Sequence, residues 1–377
     1  MAQLDKISVK GFKSIRELKD FPLYDLNIII GANGSGKSNF LEIFKFLRAT
    51  MQMSLPGFLE TDLKKYVQDF GGANDLLFFG PNYVSDEIYF EMFFGLNGYR
   101  LAFRPTQDDL LRIDRESNYF QGSHYSDWSN FMSSQDGYTP ALIQDKNNPG
   151  ETAPHCPSYY IYNSIEKWQM YHFHDTGRLA PVKKPQSIFD NENLRFDGSN
   201  LASFLLKLKD NNNSIYKEII NSIQLIAPYF DDFPLVPDKN DNVRLLWKQK
   251  KIDKLFKPQV LSDGTLRFIC LATVLLQPIH PETIIIDEPE LGLHPQAIAI
   301  LAELIKARSI DTQLIIATQS PDLINYFKPE DIIIVDRKDN QSTFERLSGN
   351  HLADWLEDFS LGELWQKNIL SGGPKYE

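Results

Sequence analysis

Hydrophobic and polar positions along the chain follow two rhythms, and the switches between them mark its elements. Leu26 to Ile30 is a nearly unbroken apolar run; after a gap of small and polar residues, apolar positions recur at helical spacing in Phe40-Leu41-Glu42-Ile43-Phe44-Lys45-Phe46-Leu47. The pattern predicts strand, turn and helix, the helix ending near Met51 to Gly57, where Pro56 and Gly57 break it. Leu4 to Val9 alternates as a strand closed by Gly11 to Ile15. Glu87 to Phe94 and Tyr99 to Arg104, joined by Gly95-Leu96-Asn97-Gly98, predict a β-hairpin with an Asn-Gly turn. Residues 112 to 158, with Ser123 to Ser129 among them, are polar and aromatic with little period, which predicts a decorated surface region. Helical spacing returns from Leu201 to Ile226, broken at Asn211-Asn212-Asn213, and predicts a helical lobe. Val243 to Trp247 reads as a strand, Leu266 to Leu276 as a helix, and Thr283 to Ile286 and Asp331 to Asp336 as core strands. No heptad array or internal repeat is present, which excludes long coiled-coil arms.

These elements predict an α/β fold: a mixed-sheet P-loop core drawn from both chain ends, an antiparallel β-subdomain and an α-helical lobe. By segment, 1–176 carries the first part of the core with the β-subdomain, 177–282 the helical lobe, and 283–377 the rest of the core. The core strands supply sites for chemistry at their ends. Gly31-Ala32-Asn33-Gly34-Ser35-Gly36-Lys37-Ser38 lies between strand and helix, where a phosphate loop belongs. Glycine lets successive N–H groups turn inward, and the new helix offers its positive end to an anion. Lys37 is expected to reach the β- and γ-phosphates and Ser38 to ligate Mg²⁺, with Asn39 next to them in the nucleotide-binding set. Lys13 and Ser14 are placed near the nucleotide by the same sheet, a plain solvated lysine being the alternative for Lys13.

A phosphate loop alone hydrolyses nothing. The buried run Thr283 to Ile286 ends in Asp287 and Glu288, at the edge where ligands bind in such sheets. Asp287 is expected to hold Mg²⁺, and Glu288 to orient or deprotonate the attacking water. Leu261-Ser262-Asp263-Gly264-Thr265 leads into a helix and makes a second anion site of the same physical kind. One nucleotide has no need of two such sites, so Ser262 and Gly264 are expected to face the γ-phosphate bound by another copy. Two chains would then sandwich two ATP molecules. His172 and His174 beside Asp175 invite a metal, yet His155-Cys156 is the only other ligand pair near them, so a structural or nucleotide-edge role is preferred.

Lys plus Arg total 39 against 50 Asp plus Glu, a net charge of −11, so nucleic-acid binding would need a local basic patch or a separate partner. Lys248, Lys250, Lys251, Lys254 and Lys257 form one basic run, read as a solvated hairpin edge in preference to a DNA or partner surface. Cys156 and Cys270 indicate neither a disulfide framework nor a zinc ribbon, which fits a reducing cytoplasm. The start lacks a signal-peptide core, and the longest apolar stretch, Phe268 to Leu276, is far short of the roughly 20 residues that span a bilayer. A soluble, cytoplasmic protein without membrane contact is expected.

LSDGT resembles the LSGGQ signature of ABC-type ATPases. With FKSI at Phe12 to Ile15, the phosphate loop, IIIDEPELGLHP at Ile284 to Pro295 and IIATQSP at Ile315 to Pro321, the chain resembles the RecF/SMC-like branch, in particular the compact prokaryotic AAA_21-type ATPases. The likeness extends to the tail, Leu352 to Trp365. It implies that Pro289 to His294 stands where a D-loop crosses a dimer interface, and that Gln319 stands where the family has a switch histidine. A glutamine amide donates a hydrogen bond but cannot become cationic, so slow turnover is expected, suited to a switch. Gln169 is the candidate Q-loop residue.

The favoured function is an ATP-gated homodimer, with room for higher assembly, that senses or clamps nucleic acid or controls a separate nuclease or toprim-like effector. PtuA-like and OLD-like anti-phage defence ATPases resemble it in this. The runner-up is a RecF-like DNA repair ATPase, disfavoured by the acidic balance. A transporter subunit is disfavoured by the long stretch between Met51 and Thr176, and a non-hydrolysing scaffold by Glu288.

Overall fold

The computed structural model describes all residues except 1–2, 52–62, 122–126, 132–135, 148–155, 280, 350–351 and 371–377. The expected helix break beyond Met51, the Ser123 to Ser126 stretch and His155 lie outside the described residues. The chain divides into two compact units. The first comprises Met1–Trp168, Glu330–Leu352 and Leu364–Glu377, and the second Gln169–Pro329 and Ala353–Glu363.

In the first unit an antiparallel sheet runs in the order Ile15–Pro22, Lys6–Phe12, Ile88–Phe94, Asn97–Pro105, Leu111–Phe120, Ser129–Asn130. Ile88, Phe90, Met92 and Phe94 are buried alternately along one strand, as a sheet with one packed face requires. The helix Lys37–Met51 docks on this face through Phe46, whose ring centroid lies 5.6 Å from Phe12, 5.6 Å from Phe90 and 5.0 Å from Phe103. Burying such rings contributes about 1.5–3 kcal/mol each.

Two expectations need correction. The hairpin after residue 87 turns at Gly95-Leu96, with Phe94 opposite Asn97; Asn97 and Gly98 are paired strand residues. Gly95, at φ 57°, stands at the first central position, where a two-residue turn of this kind needs a positive φ. The decorated region begins later than residue 112, because Leu111–Phe120 is a full strand paired to Asn97–Pro105. Hydrophobicity hid it: the inward residue in mid-strand is Glu116, buried and accepting hydrogen bonds from the Tyr99 hydroxyl at 2.8 Å and from the backbone N–H groups of Ala141 and Leu142 at 2.7 and 2.9 Å.

Also in the first unit, Leu26–Ile30 pairs in parallel with Ile332–Lys338, which pairs antiparallel with Gln341–Arg346. Every residue of Leu26–Ile30 is buried, the mark of a strand covered on both faces.

In the second unit, Thr283–Asp287 pairs in parallel with Gln313–Ala317, and the helix Pro295–Arg308 makes the crossover that parallel pairing demands. Helices Leu201–Asn211 and Asn213–Ile226 are separated at Asn212, as the asparagine break foretold. The strand read over Val243 to Trp247 is divided. Asn242–Val243 pairs with Gln186–Ser187, and Trp247–Gln249 forms a hairpin with Ile252–Phe256. Lys248, Lys250, Lys251, Lys254 and Lys257 are exposed on and around that hairpin. Among the described residues no helix is long and apolar enough to cross a membrane.

Candidate functional site

The first unit carries the glycine-rich loop. Gly31 leaves the buried strand and the helix starts at Lys37, with the Phe40 N–H donating to the Gly36 carbonyl at 3.0 Å. Gly36 has φ 116°, and a Cβ there would collide with the Ser342 hydroxyl. Ser342 is the hub of this corner. Its Oγ lies 2.5 Å from the Ser35 carbonyl and 2.7 Å from Ser14 Oγ, its N–H donates to the Ser14 carbonyl at 2.7 Å, and Asn39 Nδ2 donates to Ser14 Oγ at 2.7 Å. Ser14 and Asn39, both expected at the nucleotide, are thus tied to the loop. Lys13 is not: its ammonium lies 4.3 Å from the Phe70 ring centroid, and burial draws its pKa below the ordinary lysine value against the pull of Glu42.

Lys37 is 6 % exposed, and its Nζ donates to the carbonyls of Gly31 at 2.7 Å and Ala32 at 3.1 Å. Asn33, Gly34 and Ser38 are exposed, whereas Ser35 Oγ is buried without a hydrogen-bond partner. A buried ammonium curled over its own loop, an orphaned hydroxyl and glycines at positive φ suit a phosphate chain, and the exposed Ser38 hydroxyl is an oxygen donor of the kind Mg²⁺ takes.

The second unit carries the acidic strand end. Glu288 follows Thr283–Asp287 with φ 46°, a left-handed backbone that few non-glycine residues adopt, and its N–H donates to the Ala317 carbonyl at 2.8 Å. Gln319 donates its side-chain amide to the Glu288 carboxylate. Glu290 holds the segment before Gln319: its Oε1 accepts from Thr318 Oγ1 at 2.7 Å and from the Gln319 N–H at 3.1 Å. The other oxygen, Oε2, is buried without a partner. Burial pushes the Glu290 carboxyl above the ordinary carboxylate range, with the Thr318 hydrogen bond pulling the other way.

His174 Nε2 lies 3.2 Å from the Asp287 carbonyl, and its ring stacks on His172 at 3.9 Å. Among the described residues no group of three or more His, Cys, Asp or Glu is placed to hold a metal ion. Gln169, the Q-loop candidate, accepts from the Tyr171 hydroxyl within its own strand.

Ser262 caps the helix Asp263–Leu276, its Oγ accepting from the Thr265 N–H at 3.1 Å, and is exposed. Gly264 has a packing reason to be glycine, since a Cβ there would strike the Gly292 carbonyl. One helical turn on, Arg267 is buried and spreads its guanidinium over three carbonyls: Phe173 at 3.0 Å, His174 at 3.4 Å, and Leu291. The LSDGT helix, the histidine stretch and the Glu290 to Leu293 turn therefore share one anchor.

Neither hydrophobic pattern nor motif singles out Ser342, Arg267 or Glu290. Ser342 sits in a polar strand 328 residues from Ser14 and carries no local signal. Arg267 had one, a lone charge in an apolar helix, and the PELGLHP stretch drew attention to the turn as a whole instead of to Glu290.

The family model described as "AAA domain, putative AbiEii toxin, Type IV TA system" matches residues 26–134 and 157–325. No curated protein matches the chain. Among solved structures, the fold is similar to an Smc head bound to the C-winged helix domain of ScpA, with TM-score 0.58 and 18% identity over 93% of this chain and 99% of that one. It is similar also to the Smc head of Pyrococcus furiosus bound to the C-terminal domain of ScpA (TM-score 0.54, 17% identity, 95% and 99% covered) and to that of Pyrococcus yayanosii (0.52, 13%, 95% and 99%). The α/β P-loop class expected from the sequence is the class these structures share. With its family model spanning well over half of the residues, and the loop and acidic strand end both inside the match, the chain belongs to the AAA_21 family.

Proposed function

We propose that the protein is a slow, ATP-hydrolysing dimeric switch that controls a separate effector protein in prokaryotic anti-phage defence. In the first unit Gly31 to Asn39, with Ser14, would hold the phosphates, Lys37 would neutralise them and Ser38 would offer an oxygen ligand to Mg²⁺; in the second, Asp287 would be the acid that holds Mg²⁺, Glu288 would orient the attacking water, and Ser262 and Gly264 would act on the nucleotide of a second copy. Bound Mg²⁺ and ATP supply the polarised γ-phosphoryl group, while the chain positions, screens charge and takes up the water proton at Glu288.

The observation that carries this reading is the Gln319 amide on the Glu288 carboxylate. It holds a general base with a neutral donor, an arrangement suited to long-lived ATP binding more than to rapid turnover. The Smc heads of similar fold are described bound to a ScpA domain, which supports a separate protein partner here. Mass in solution tests the switch. Glu288→Gln with ATP and Mg²⁺ is expected to double in mass and to return to single chains without nucleotide; unchanged mass with ATP bound sinks the dimer while leaving the nucleotide site standing.

A further inference from the structure

Away from Glu288 and Gln319, the second unit holds a cavity of about 400 Å³ walled by Arg178, Lys183, Arg244 and Lys257, with Leu179 and Leu246 among its apolar surfaces. The four cations come from three stretches of a chain whose net charge is −11, and among the described residues no carboxylate lines the cavity. Chance placement of solvated surface charge accounts poorly for Lys183. Its side chain is 4% exposed, and its ammonium, with three protons to donate, has among the described residues one close acceptor, the Thr176 carbonyl at 2.5 Å. Asp263 stands at 3.5 Å, with its own side chain 65% exposed. A buried ammonium normally gathers fuller compensation than this. Asp238 senses the charge of Arg244 but is fully exposed, and it does not line the cavity.

We infer that this cavity binds a small organic polyphosphate. The excess of positive over negative groups calls for a multiply charged anion, and the two arginines present planar forks that match phosphoryl oxygens. The apolar walls accept a non-polar moiety, and the volume lies in the range of small-ligand pockets. The location gives the site a consequence. Lys257 begins the turn that leads through Val260 to Ser262, and Lys183 reaches the first residue of the LSDGT helix. A ligand phosphate would compete with Asp263 for Lys183 and so act on the start of that helix. Binding itself does not depend on the dimeric switch proposed above; only this consequence rests on that reading.

Full-length protein carrying Lys37→Ala, which removes the phosphate-loop lysine, is titrated with inorganic pyrophosphate by calorimetry. One site per chain is expected, weakened at least about tenfold when Arg178→Glu and Arg244→Glu are added. In the parent background the same pair of changes is expected to leave ATP binding and the melting temperature unchanged. Absence of pyrophosphate binding to Lys37→Ala, or binding indifferent to the charge reversals, overturns the inference. Should Lys37→Ala fail to fold, the parent chain is expected to show two pyrophosphate sites, of which the reversals remove one; a single site that the reversals leave intact overturns it equally. A short single-stranded oligonucleotide is the second probe. If it alone binds, with the same sensitivity to Arg178 and Arg244, the cavity belongs to a nucleic-acid track and the small-molecule assignment falls.

Discussion

Gln319 donates its side-chain amide to the carboxylate of Glu288, while its backbone N–H is held by Glu290. The amide aims the Glu288 oxygen without bringing a second charge to it, and under the proposed mechanism that oxygen takes the water proton. Glu288→Gln removes that basicity and preserves size. Hydrolysis is expected to fall by about 10²–10⁴-fold, with ATP affinity nearly unchanged. Single-turnover hydrolysis beside equilibrium ATP binding checks this, and a variant that hydrolyses at the parent rate removes Glu288 from the reaction.

Gln319→His restores a group that can carry charge. Turnover is expected to rise by about tenfold where the imidazole is protonated, and to acquire a dependence on pH near 6.5 that the parent does not show at this position. The diagnostic measurement is kcat from pH 5.5 to 8.5 for both proteins. Two parallel profiles would mean that charge at residue 319 does not limit the rate.

Some of this arrangement was legible in the sequence, and the reason is local. Gly31 to Ser38 and Ile284 to Glu288 are each a strand end, where a contiguous run fixes both the backbone shape and the side chains it presents. Asn211 to Asn213 likewise marked the junction of two helices, because the break interrupts helical spacing within one stretch. What escaped notice depends on pairings distant along the chain. Ser342 matters because its strand returns to Ser14, and Glu116 was invisible as a strand residue because its burial is compensated by Tyr99 and the N–H groups of Ala141 and Leu142. A hydrophobicity pattern registers a buried carboxylate as exposure.

Glu290 offers a test by pH. Burial raises its carboxyl above the ordinary range, so the folded chain holds that proton more tightly than the unfolded one. The stability this contributes is complete below the unfolded carboxylate pKa, about 4.3, and is lost as pH rises through the folded value. Glutamine keeps one acceptor for Thr318 and Gln319 and does not titrate. Glu290→Gln is therefore expected to gain stability relative to the parent as pH rises above the unfolded carboxylate value, about 4.3, until the folded carboxyl has lost its proton, read from denaturant midpoints. Glu290→Ala, which strands the Thr318 hydroxyl and the Gln319 N–H, is expected to lose about 1–3 kcal/mol at every pH. A gap between glutamine and parent that stays constant with pH would show that Glu290 does not titrate in this range.

The corner around Gly36 should be intolerant of one added carbon. At φ 116° an alanine is strained whatever the surrounding space, and its Cβ would also meet the Ser342 hydroxyl. Gly36→Ala is expected to abolish ATP binding, and adding Ser342→Gly is expected to return only part of it, because the steric clash is relieved while the backbone strain persists. ATP binding by Gly36→Ala at parent affinity would exclude this loop as the phosphate cradle.

Arg267 separates charge from shape. Its guanidinium reaches the carbonyls of Phe173, His174 and Leu291 in three directions, a geometry that a planar fork satisfies and a lysine ammonium on a shorter reach does not. Burial already draws its pKa below the ordinary arginine value, with Asp263 opposing, so the charge alone gives the site little. The three hydrogen bonds are what justify burying it. Arg267→Lys conserves the charge and strands at least one carbonyl, and is expected to cost about 2–4 kcal/mol by denaturant unfolding. Arg267→Met strands all three carbonyls but buries no cation, and is expected to cost no more than the lysine variant, since a buried ammonium with fewer acceptors than the guanidinium had is the costlier guest. If lysine instead matches the parent and methionine does not, charge and not the fork holds the LSDGT helix to the histidine stretch.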